Sequence, residues 1–456
     1  MVPVRPLVRR YNRRTMDRRR FLTTLTGALA FATHADAGQS QWKAGVAKAD
    51  ITPARSLWMA GFALRKEASR GAALPLHAKA LALQADQGRP AVLVTTDLLG
   101  LTARITGRVS DEARRRYRIE RADILFNASH THCGPVIDDQ LSVAYDLSPA
   151  QWSDIRDYSR QLEEKLVAVI GDAIGRLRPA GVSYARGEAG FARNRRVKFT
   201  PAGPVDHSVP VLRVDDGGGA PIAIVFGYAC HNTTLQAAFV QYHGDYAGVA
   251  QAALERRHPG VTALFVAGCG ADANPDPRGT LELVQAHGAA LADAVDHALP
   301  SARPLASVLT TSYRVVDLPF VTGEARERWR KQLGIDEVYL KRHAAMMAQM
   351  VARDGRLPPS QPAPVQVWRL GPDLALVALG GEVVVDYALR VAREHPQLRT
   401  WVAGYSNDVF GYVPSVRVLR EGGYEGGDAM IYYGRPAPFT ESVEDLLVGE
   451  VRRQVG

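Results

Sequence analysis

The stretch ADILFNASHTHCGPV (residues 122–136) joins an apolar run to two histidines, His130 and His132, that are separated by a single residue. A short apolar run that ends at a turn signal is typical of a buried β-strand, and Cys-Gly-Pro supplies that signal. Alternate side chains of an extended chain point to the same face, so both imidazoles can be directed at one metal ion. Two histidines that merely close a strand would give the same pattern, so the spacing leaves both interpretations open.

Other predicted strands end in the same way, with polar residues at their carboxyl ends. Five strand ends carry residues that are capable of chemistry: His130, His231, Asp272, Glu382 and Asn407. Because ligand sites in α/β sheets form at the carboxyl ends of strands, we expect these residues to border one shared crevice. A catalytic zinc site usually has imidazole and carboxylate ligands and one coordination position that is open to water or substrate. The pattern therefore predicts a metal site at this edge of a sheet.

Between residues 43 and 456, strand-like and helix-like patterns alternate without a clear linker or internal repeat. Such alternation predicts one α/β domain of the mixed α+β kind, with a central mixed sheet that is flanked by helices. The metal site is then expected at the C-terminal ends of the strands. Residues 322–362 are largely polar and helix-like and run into the Pro-rich RLPPSQPAP, so we expect a helical insertion there.

The positive charge of the chain is concentrated at its N-terminus. The whole sequence has a net charge of +9, but residues 1–37 hold eight Arg and two Asp, which leaves only +3 for the remaining residues. This distribution gives no indication of a nucleic-acid partner. A content of 46% hydrophobic and 23% charged residues is typical of a folded chain with a sizeable core.

The basic N-terminus has the features of a bacterial export signal. Three arginines, Arg18 to Arg20, precede Phe21, a short apolar stretch follows, and the sequence Ala-Asp-Ala ending at Ala37 resembles a cleavage site. Residues 1–37 are therefore interpreted as a twin-arginine signal peptide, with a disordered basic tail as the alternative. Cleavage after Ala37 would release a periplasmic or secreted protein. No later run approaches about 18 apolar residues, so we expect no transmembrane segment.

The chain contains three cysteines, Cys133, Cys230 and Cys269. An odd number of cysteines is not a disulfide framework, even in an exported protein. We expect all three to be small buried residues near the packed centre of the domain. A single disulfide bridge or a metal ligand is the alternative.

The order of several motifs resembles that of the neutral (non-lysosomal) ceramidase family, whose members are zinc amidohydrolases that cleave the amide of ceramide. The histidine motif resembles the family's S-H-T-H-S-G-P, with Cys133 in place of a serine. The other matching stretches follow one another along the chain: KADITPA, MAGF, VTTDLLGL, FARNRR, YACHNTT, GGEVVVDYALR, GYSNDVFGYVPS and GGYEGG. The resemblance therefore covers most of the chain beyond the predicted signal peptide.

The resemblance implies one zinc ion per chain. The matching ligand positions are His130, His231, Glu382 and Tyr412. The assignment of Tyr412 comes from the resemblance alone, because the residue type by itself would indicate a core aromatic.

The same resemblance implies which residues act on the substrate. His132 matches a histidine that contacts the substrate, and Tyr424 matches a further tyrosine of the pocket. Arg195 matches an active-site arginine, with the adjacent Arg196 as an alternative. His132, Arg195 and Tyr424 are thus the candidates for stabilising an oxyanion and protonating a leaving amine.

The sequence departs from the family pattern in two places. The loop CGADANPD resembles the family's N-x-G-D-V-S-P-N and keeps Asp272 and Pro275, but Asn274 stands where the family has an essential serine. Asp272 and Asn274 remain candidate catalytic residues; Asn274 would either donate a hydrogen bond to the oxyanion or only cap a turn. The chain ends about thirty residues after Tyr424, so we expect it to lack the C-terminal β-sandwich domain of long family members.

These features predict an exported zinc-dependent amidohydrolase that cleaves an N-acyl amide by metal-activated water. Ceramide is the default substrate, with sphingosine and a fatty acid as products. The expected partner is a lipid-like acyl amide. Such a substrate is compatible with peripheral contact between the protein and a membrane. The oligomeric state is left open. Two alternatives are a zinc hydrolase for another exported acyl amide or a cell-wall fragment, and an inactive metal-binding relative.

Overall fold

The computed structural model describes Met1, residues 41–86 and residues 88–456. Apart from Met1, the predicted signal peptide lies outside the described residues. The residues from 41 onward belong to one unit. Among the helices of the described part, none is both long and apolar enough to cross a membrane.

Strands form the centre of the fold, and the quoted stretch contributes the fourth of them and the turn that follows it. The described residues contain seventeen strands: β1 (Trp42–Asp50), β2 (His77–Ala85), β3 (Ala91–Thr96), β4 (Ile124–Ala128), β5 (Arg178–Glu188), β6 (Ala192–Asn194), β7 (Ser208–Asp216), β8 (Pro221–Tyr228), β9 (Thr262–Ala267), β10 (Ala273–Pro275), β11 (Arg303–Pro304), β12 (Leu309–Pro319), β13 (Ser360–Leu370), β14 (Leu374–Leu379), β15 (Glu382–Val383), β16 (Arg399–Ala403) and β17 (Tyr412–Val413).

Helices connect many of these strands. Ten α-helices occur in the same described residues: α1 (Ala103–Tyr117), α2 (Pro149–Gly175), α3 (Asp245–Arg257), α4 (Leu281–Ala298), α5 (Gly323–Gln332), α6 (Glu337–Asp354), α7 (Asp386–Glu394), α8 (Val416–Glu421), α9 (Gly423–Gly426) and α10 (Val443–Val455). The longest helix, α2, begins with a capping box in which Ser148 and Gln151 exchange hydrogen bonds between side chain and main chain. A proline at the first helical position, Pro149, adds to this start signal.

The strands form two large sheets and two short pairs. The first sheet has the order β4-β3-β2-β1-β5-β7-β8-β9, with β11 paired to β5. Its strands are antiparallel except at the two ends, where β3 pairs with β4 and β8 pairs with β9 in parallel. The second sheet has the order β12-β13-β14-β16, and its last pair is parallel. The short pairs are β6 with β10 and β15 with β17.

The two large sheets pack face to face. Side chains along a strand alternate between its two faces. Leu81, Leu93 and Leu125 of the first sheet share an apolar cluster with Trp368 and Leu376 of the second sheet. Helices α1 to α4 cover the outer face of the first sheet, and α7 and α10 cover that of the second. The predicted fold class, a mixed α/β domain with a central mixed sheet and flanking helices, is confirmed, and the second sheet is an addition to it.

The segment predicted to be a helical insertion forms α5 and α6, which lie between β12 and β13. Its last residues, from Ser360 onward, belong to β13. Tyr339 of α6 packs in a small apolar cluster with Val143 and Ile431. That this segment is inserted into an otherwise continuous domain stays a prediction.

Asn127 of β4 joins the two edges of the first sheet to the second sheet. Its side-chain oxygen accepts a hydrogen bond from the Ala267 N–H of β9 (2.8 Å), and its amide nitrogen donates to the Gly404 carbonyl after β16 (2.8 Å). The side chain is 0% exposed. Asn127 therefore holds three strand ends together just before the chain reaches the histidine motif.

We expect Asn127→Ala to lower the free energy of unfolding by about 1–3 kcal/mol, because the buried Ala267 N–H would lose its side-chain acceptor, whereas the Gly404 carbonyl keeps the Ser406 hydroxyl as a donor. Urea denaturation followed by circular dichroism measures this loss. Gln84→Ala is the control: Gln84 donates to the Gly88 carbonyl at the surface, and its loss is expected to cost within about 0.5 kcal/mol. Equal losses in the two variants would contradict the role given to Asn127.

Candidate metal centre and active site

His130 lies two residues beyond β4, in the left-handed backbone region (φ 61°). Its main-chain N–H donates to the Leu98 carbonyl (2.9 Å), and its ring Nδ1 lies 2.6 Å from the Leu99 carbonyl. Since a carbonyl only accepts hydrogen bonds, Nδ1 carries the proton and Nε2 presents a lone pair. Histidines that bind metals are oriented in this way.

His231 follows β8 and is oriented by the same device. Its Nδ1 lies 2.8 Å from the Gly270 carbonyl, so Nε2 again presents the lone pair. Burial, together with the nearby Arg195 guanidinium, lowers the pKa of His231 to about 4. The imidazole is therefore neutral near pH 7 and can act as a metal ligand.

Glu382 brings a carboxylate to the same place. Its Oε2 lies 3.0 Å from Nε2 of His130 and 3.2 Å from Nε2 of His231. Tyr412 is the partner of Glu382 in the β15–β17 pair, and its hydroxyl oxygen lies 3.2 Å from Nε2 of His231. The four residues predicted as metal ligands thus converge at one buried point.

These donor atoms fit a metal ion. Electron pairs of two imidazoles and a carboxylate face one another, which is unfavourable unless a cation lies between them. Glu382 Oε2 is buried and has no hydrogen-bond donor in the described part of the chain. Ligand bonds of about 2 Å in a tetrahedral zinc site place the ligand atoms about 3.3 Å apart. The separations of 3.0–3.2 Å are close to this value.

His132 adds a third imidazole whose orientation is not fixed by a carbonyl. Its Nε2 lies 3.2 Å from Nε2 of His130, and its Nδ1 is buried without a hydrogen-bond partner among the described residues. Ligand nitrogens of His130, His132 and His231 all lie within 4.8 Å of one another. The site can therefore hold a metal through three imidazoles, or through two imidazoles with Glu382 and Tyr412.

Arg195 connects the candidate ligands to the loop that carries Asn274. Its guanidinium donates to the Tyr412 hydroxyl (2.9 Å), to the Glu425 carboxylate (2.6 Å) and to the Asn274 side-chain oxygen (3.4 Å). Burial opposes its charge, but the contacts with Tyr412 and Glu425 raise the pKa of Arg195. Arg196, the alternative, is buried and pairs with Glu421 and Glu425, so Arg195 is the arginine that faces the centre.

A cavity of about 190 Å³ opens beside the cluster. Its lining includes His130, His132 and Glu382 of the cluster, together with Tyr412 and Tyr424. Apolar and aromatic side chains supply most of the remaining wall: Phe62, Ala63, Leu64, Leu99, Leu141, Ala144, Tyr145, Tyr432 and Tyr433. A substrate with an apolar part would find the candidate metal ligands at the bottom of this cavity.

The comparisons with known proteins agree with this geometry. A family model described as "Neutral/alkaline non-lysosomal ceramidase, N-terminal" matches residues 42–276, just over half of the chain. The chain belongs to this ceramidase family. No curated protein matches it.

Two solved structures of ceramidases have a similar fold. The neutral ceramidase from Pseudomonas aeruginosa is 20% identical over 91% of this chain and 75% of its own, with a TM-score of 0.71. A ceramidase complexed with C2 is 18% identical over 91% of this chain and 76% of its own, with a TM-score of 0.70. At these identities the likeness concerns the fold, which is that of the ceramidases.

The remaining predicted site residues of this ceramidase-family chain take different places. Tyr424 packs edge-on against Tyr412 with ring centres 5.2 Å apart and is 44% exposed at the cavity. Asn274 is buried, and its oxygen accepts from Arg195 and from the Thr233 hydroxyl (3.3 Å). Both residues therefore lie next to the candidate metal ligands.

Asp272 and Asn407 are directed away from the histidine cluster. The Asp272 carboxylate accepts from the Val385 N–H and from the Asn194 amide, both at 3.0 Å, and burial raises its pKa to about 6. Asn407 accepts from the Arg121 guanidinium (3.0 Å) and the Phe126 N–H (3.3 Å). The expectation that all five strand ends share one crevice is thus wrong for these two side chains, which fasten neighbouring segments instead.

Two residues of the ceramidase site were not foreseen from the sequence. The Tyr433 hydroxyl donates to Oε1 of Glu382. The other carboxylate oxygen, Oε2, faces His130 and His231. Glu425 holds Arg195 in place, as described above. Tyr433 lies in IYYG and Glu425 directly follows Tyr424 in GGYEGG, but the partners of both residues are visible only in the folded chain.

The three cysteines are buried and unpaired in the described structure. Burial raises the pKa of the Cys133 thiol to about 12, although the nearby Arg65 guanidinium acts against this shift. The thiol is therefore protonated and unreactive near pH 7. The expectation of small buried residues is confirmed.

We expect the purified protein to contain about one divalent metal ion per chain and His231→Ala to lose most of it, because the variant lacks an oriented lone pair at the centre. Elemental analysis of dialysed protein measures the content. His258→Ala is the matched control, since His258 pairs with Asp296 on the surface of α3 and α4. Retention of the metal in a folded His231→Ala variant would rule out this metal centre.

Proposed function

We propose that this chain is an exported zinc-dependent amidohydrolase that cleaves an N-acyl amide, with ceramide as the default substrate and sphingosine and a fatty acid as products. One observation carries the proposal: Oε2 of Glu382 lies within 3.2 Å of the lone-pair nitrogens of both His130 and His231, and Glu382 and His130 line a cavity. Membership of the ceramidase family supports the same reaction class.

In this proposal His130, His231, Glu382 and Tyr412 hold one zinc ion. His130 and His231 are the two imidazoles that backbone carbonyls orient, which favours them over His132 as ligands. Burial raises the pKa of the Tyr412 hydroxyl, while Arg195 acts in the opposite direction and favours the anion. When bound, the zinc ion would polarise the amide carbonyl and lower the pKa of a water molecule.

His132 is left free to face the substrate. Because burial and the neighbouring imidazoles hold the pKa of His132 well below its usual range, the ring is neutral at pH 7. Its tautomer is not fixed by a carbonyl, so a ring N–H can be directed at the substrate and donate a hydrogen bond to it. Tyr424 is partly exposed at the cavity, and its hydroxyl can donate to the oxyanion that develops on the carbonyl.

Asn274 is proposed to donate a second hydrogen bond to this oxyanion. Its side-chain oxygen already accepts from Arg195 and Thr233, which leaves the amide N–H₂ group as the available donor. An amide is not a usable nucleophile, so no acyl-enzyme forms at this position and a water molecule attacks the substrate.

The mouth of the cavity supports a lipid-like substrate. Leu64 borders the cavity and is 71% exposed. Phe199 is exposed and lies against Gly423, which precedes the cavity residue Tyr424. Exposed apolar side chains around an opening favour contact with an apolar chain or with the surface of a membrane. Peripheral contact of this rim with the membrane that carries the substrate is part of the proposal.

Location outside the cytoplasm is also part of the proposal. It is supported by the consecutive arginines Arg18 to Arg20 and by the Ala-Asp-Ala sequence that ends at Ala37. Transport through the twin-arginine route would place the enzyme in the periplasm or outside the cell.

The proposal is tested by turnover of a fluorogenic N-acyl sphingoid and of a panel of other acyl amides and cell-wall fragments. Each substrate is assayed with the zinc-loaded protein, after chelation, and after zinc is restored. We expect cleavage of the sphingoid amide that disappears on chelation and returns with zinc. Turnover of another amide alone would support a different exported hydrolase, and no turnover of any amide would support an inactive relative.

Asn274→Ala is expected to lower the turnover number by about a hundredfold to a thousandfold and to leave the zinc content unchanged, because one oxyanion donor is lost. Thr233→Ala is the control, since it removes only a neighbour of Asn274 and keeps the amide donor. Rapid-mixing kinetics of the wild type should show no burst of released amine. A stoichiometric burst would refute direct attack by water, and an unaffected Asn274→Ala enzyme would remove Asn274 from the mechanism.

A further inference from the structure

Tyr405 lies behind the histidine cluster, two residues beyond β16, and is 1% exposed. Its backbone is in the left-handed region (φ 50°). This conformation is rare for a bulky side chain and persists only where the surrounding structure imposes it. Such an outlier next to a candidate metal centre calls for a functional explanation.

The main chain of Tyr405 joins the segments that carry two of the candidate ligands. Its N–H donates to the Gly381 carbonyl (2.9 Å), directly before Glu382. Its carbonyl accepts from the Ala128 N–H (3.2 Å), two residues before His130. Tyr405 therefore links the backbone that precedes His130 to the backbone that precedes Glu382.

The ring of Tyr405 contacts the imidazole of His130. The ring centres are 4.3 Å apart and the planes are inclined by 32°. The ring also lies edge-on to His231, with centres 6.1 Å apart and planes at 89°. His130 is thus held at one edge by the Leu99 carbonyl and on one face by the phenol ring, which together define the direction of its Nε2.

The hydroxyl of Tyr405 makes no comparable contact. It is buried and has no hydrogen-bond partner within residues 41–86 and 88–456. The contribution of Tyr405 to the centre is therefore expected to come from its ring and its main chain, and a phenylalanine would retain both.

We propose that Tyr405 is a positioning residue of the metal centre: its ring fixes the plane of His130 and its main chain fixes the distance between His130 and Glu382. The inference rests on the proposed function, because it concerns the affinity of the same centre for zinc. Residues that orient metal ligands from behind change metal affinity by about 10-fold to 100-fold when they are replaced.

The test measures the dissociation constant for zinc by competition with a chromophoric chelator. We expect Tyr405→Phe to bind zinc within about threefold of the wild type, and Tyr405→Leu and Tyr405→Met to bind at least about tenfold more weakly. The visible absorption spectrum of the cobalt-substituted protein, which reports ligand geometry, should change in the leucine and methionine variants only. Tyr158→Leu is the control: Tyr158 is buried in α2 and bonds to the Ile51 carbonyl, so its loss should lower the melting temperature without changing zinc affinity.

The outcomes separate the two proposals. A wild-type protein that does not bind zinc would refute the proposed function. If the wild type binds zinc, leucine and methionine variants with wild-type affinity and an unchanged cobalt spectrum would overturn the role of Tyr405. A large loss of affinity in Tyr405→Phe would also overturn it, because the hydroxyl would then be the group that matters. If the leucine variant fails to fold, the methionine variant is used to test the proposal, because it keeps most of the apolar volume.

Discussion

The hydrogen bonds of the Asn127 side chain are the contacts on which the arrangement of the metal centre depends. His130 follows a strand of the first sheet, whereas Glu382 follows a strand of the second. Ligand atoms from two sheets can lie about 3 Å apart only if the sheets cannot shift. Asn127 binds the main chain of β9 and of Gly404 at once, and the backbone bridge between Asn127 and Ser406 continues this connection. The fold therefore fixes the centre by satisfying buried polar groups rather than by apolar packing alone.

Charge compensation is the second constraint on the centre. Burying a carboxylate is costly unless a cation lies close to it. Arg195 supplies a permanent positive charge close to the centre, but it donates to the Tyr412 hydroxyl and pairs with Glu425. Arg195 therefore acts against the burial that raises the pKa of Tyr412. Its hydrogen bonds go to Tyr412, Glu425 and Asn274 and not to Glu382. The position between the imidazoles and Glu382 can therefore hold a metal ion, whose charge would compensate that of the carboxylate.

Much of the candidate site could be predicted from the sequence, because metal-binding side chains at strand ends leave a local signal. His130, His231 and Glu382 each directly follow an apolar run or a glycine pair, and the structure brings them together. Tyr412 had no such signal and was found through family resemblance alone. Tyr405, Glu425 and Tyr433 could not be foreseen, because their roles depend on partners that only the folded chain brings near.

The fold was predictable to a similar extent. Buried strands with continuous apolar runs, such as β3, β4 and β9, carry a strong signal. The strands β5 and β12 do not, since their residues are partly exposed and mix polar with apolar types. The sequence pattern consequently indicated a central sheet with helices but not the second sheet. Asp272 and Asn407 were placed at the correct strand ends, yet position at a strand end does not determine which way a side chain points. Both side chains instead bind backbone groups of neighbouring segments.

Two serines of the family pattern are replaced in this chain, and the replacements affect which group can act as the nucleophile. Cys133 replaces one of them, but burial raises the pKa of its thiol to about 12, so it is not a thiolate at neutral pH. Asn274 replaces the other, and its amide has no nucleophilic atom. Neither position can therefore form a covalent acyl intermediate. The oriented imidazoles and the carboxylate do not depend on either serine, because their partners are backbone carbonyls and Tyr433. The absence of both hydroxyls therefore leaves the candidate metal ligands in place, and it agrees with the proposed attack by water.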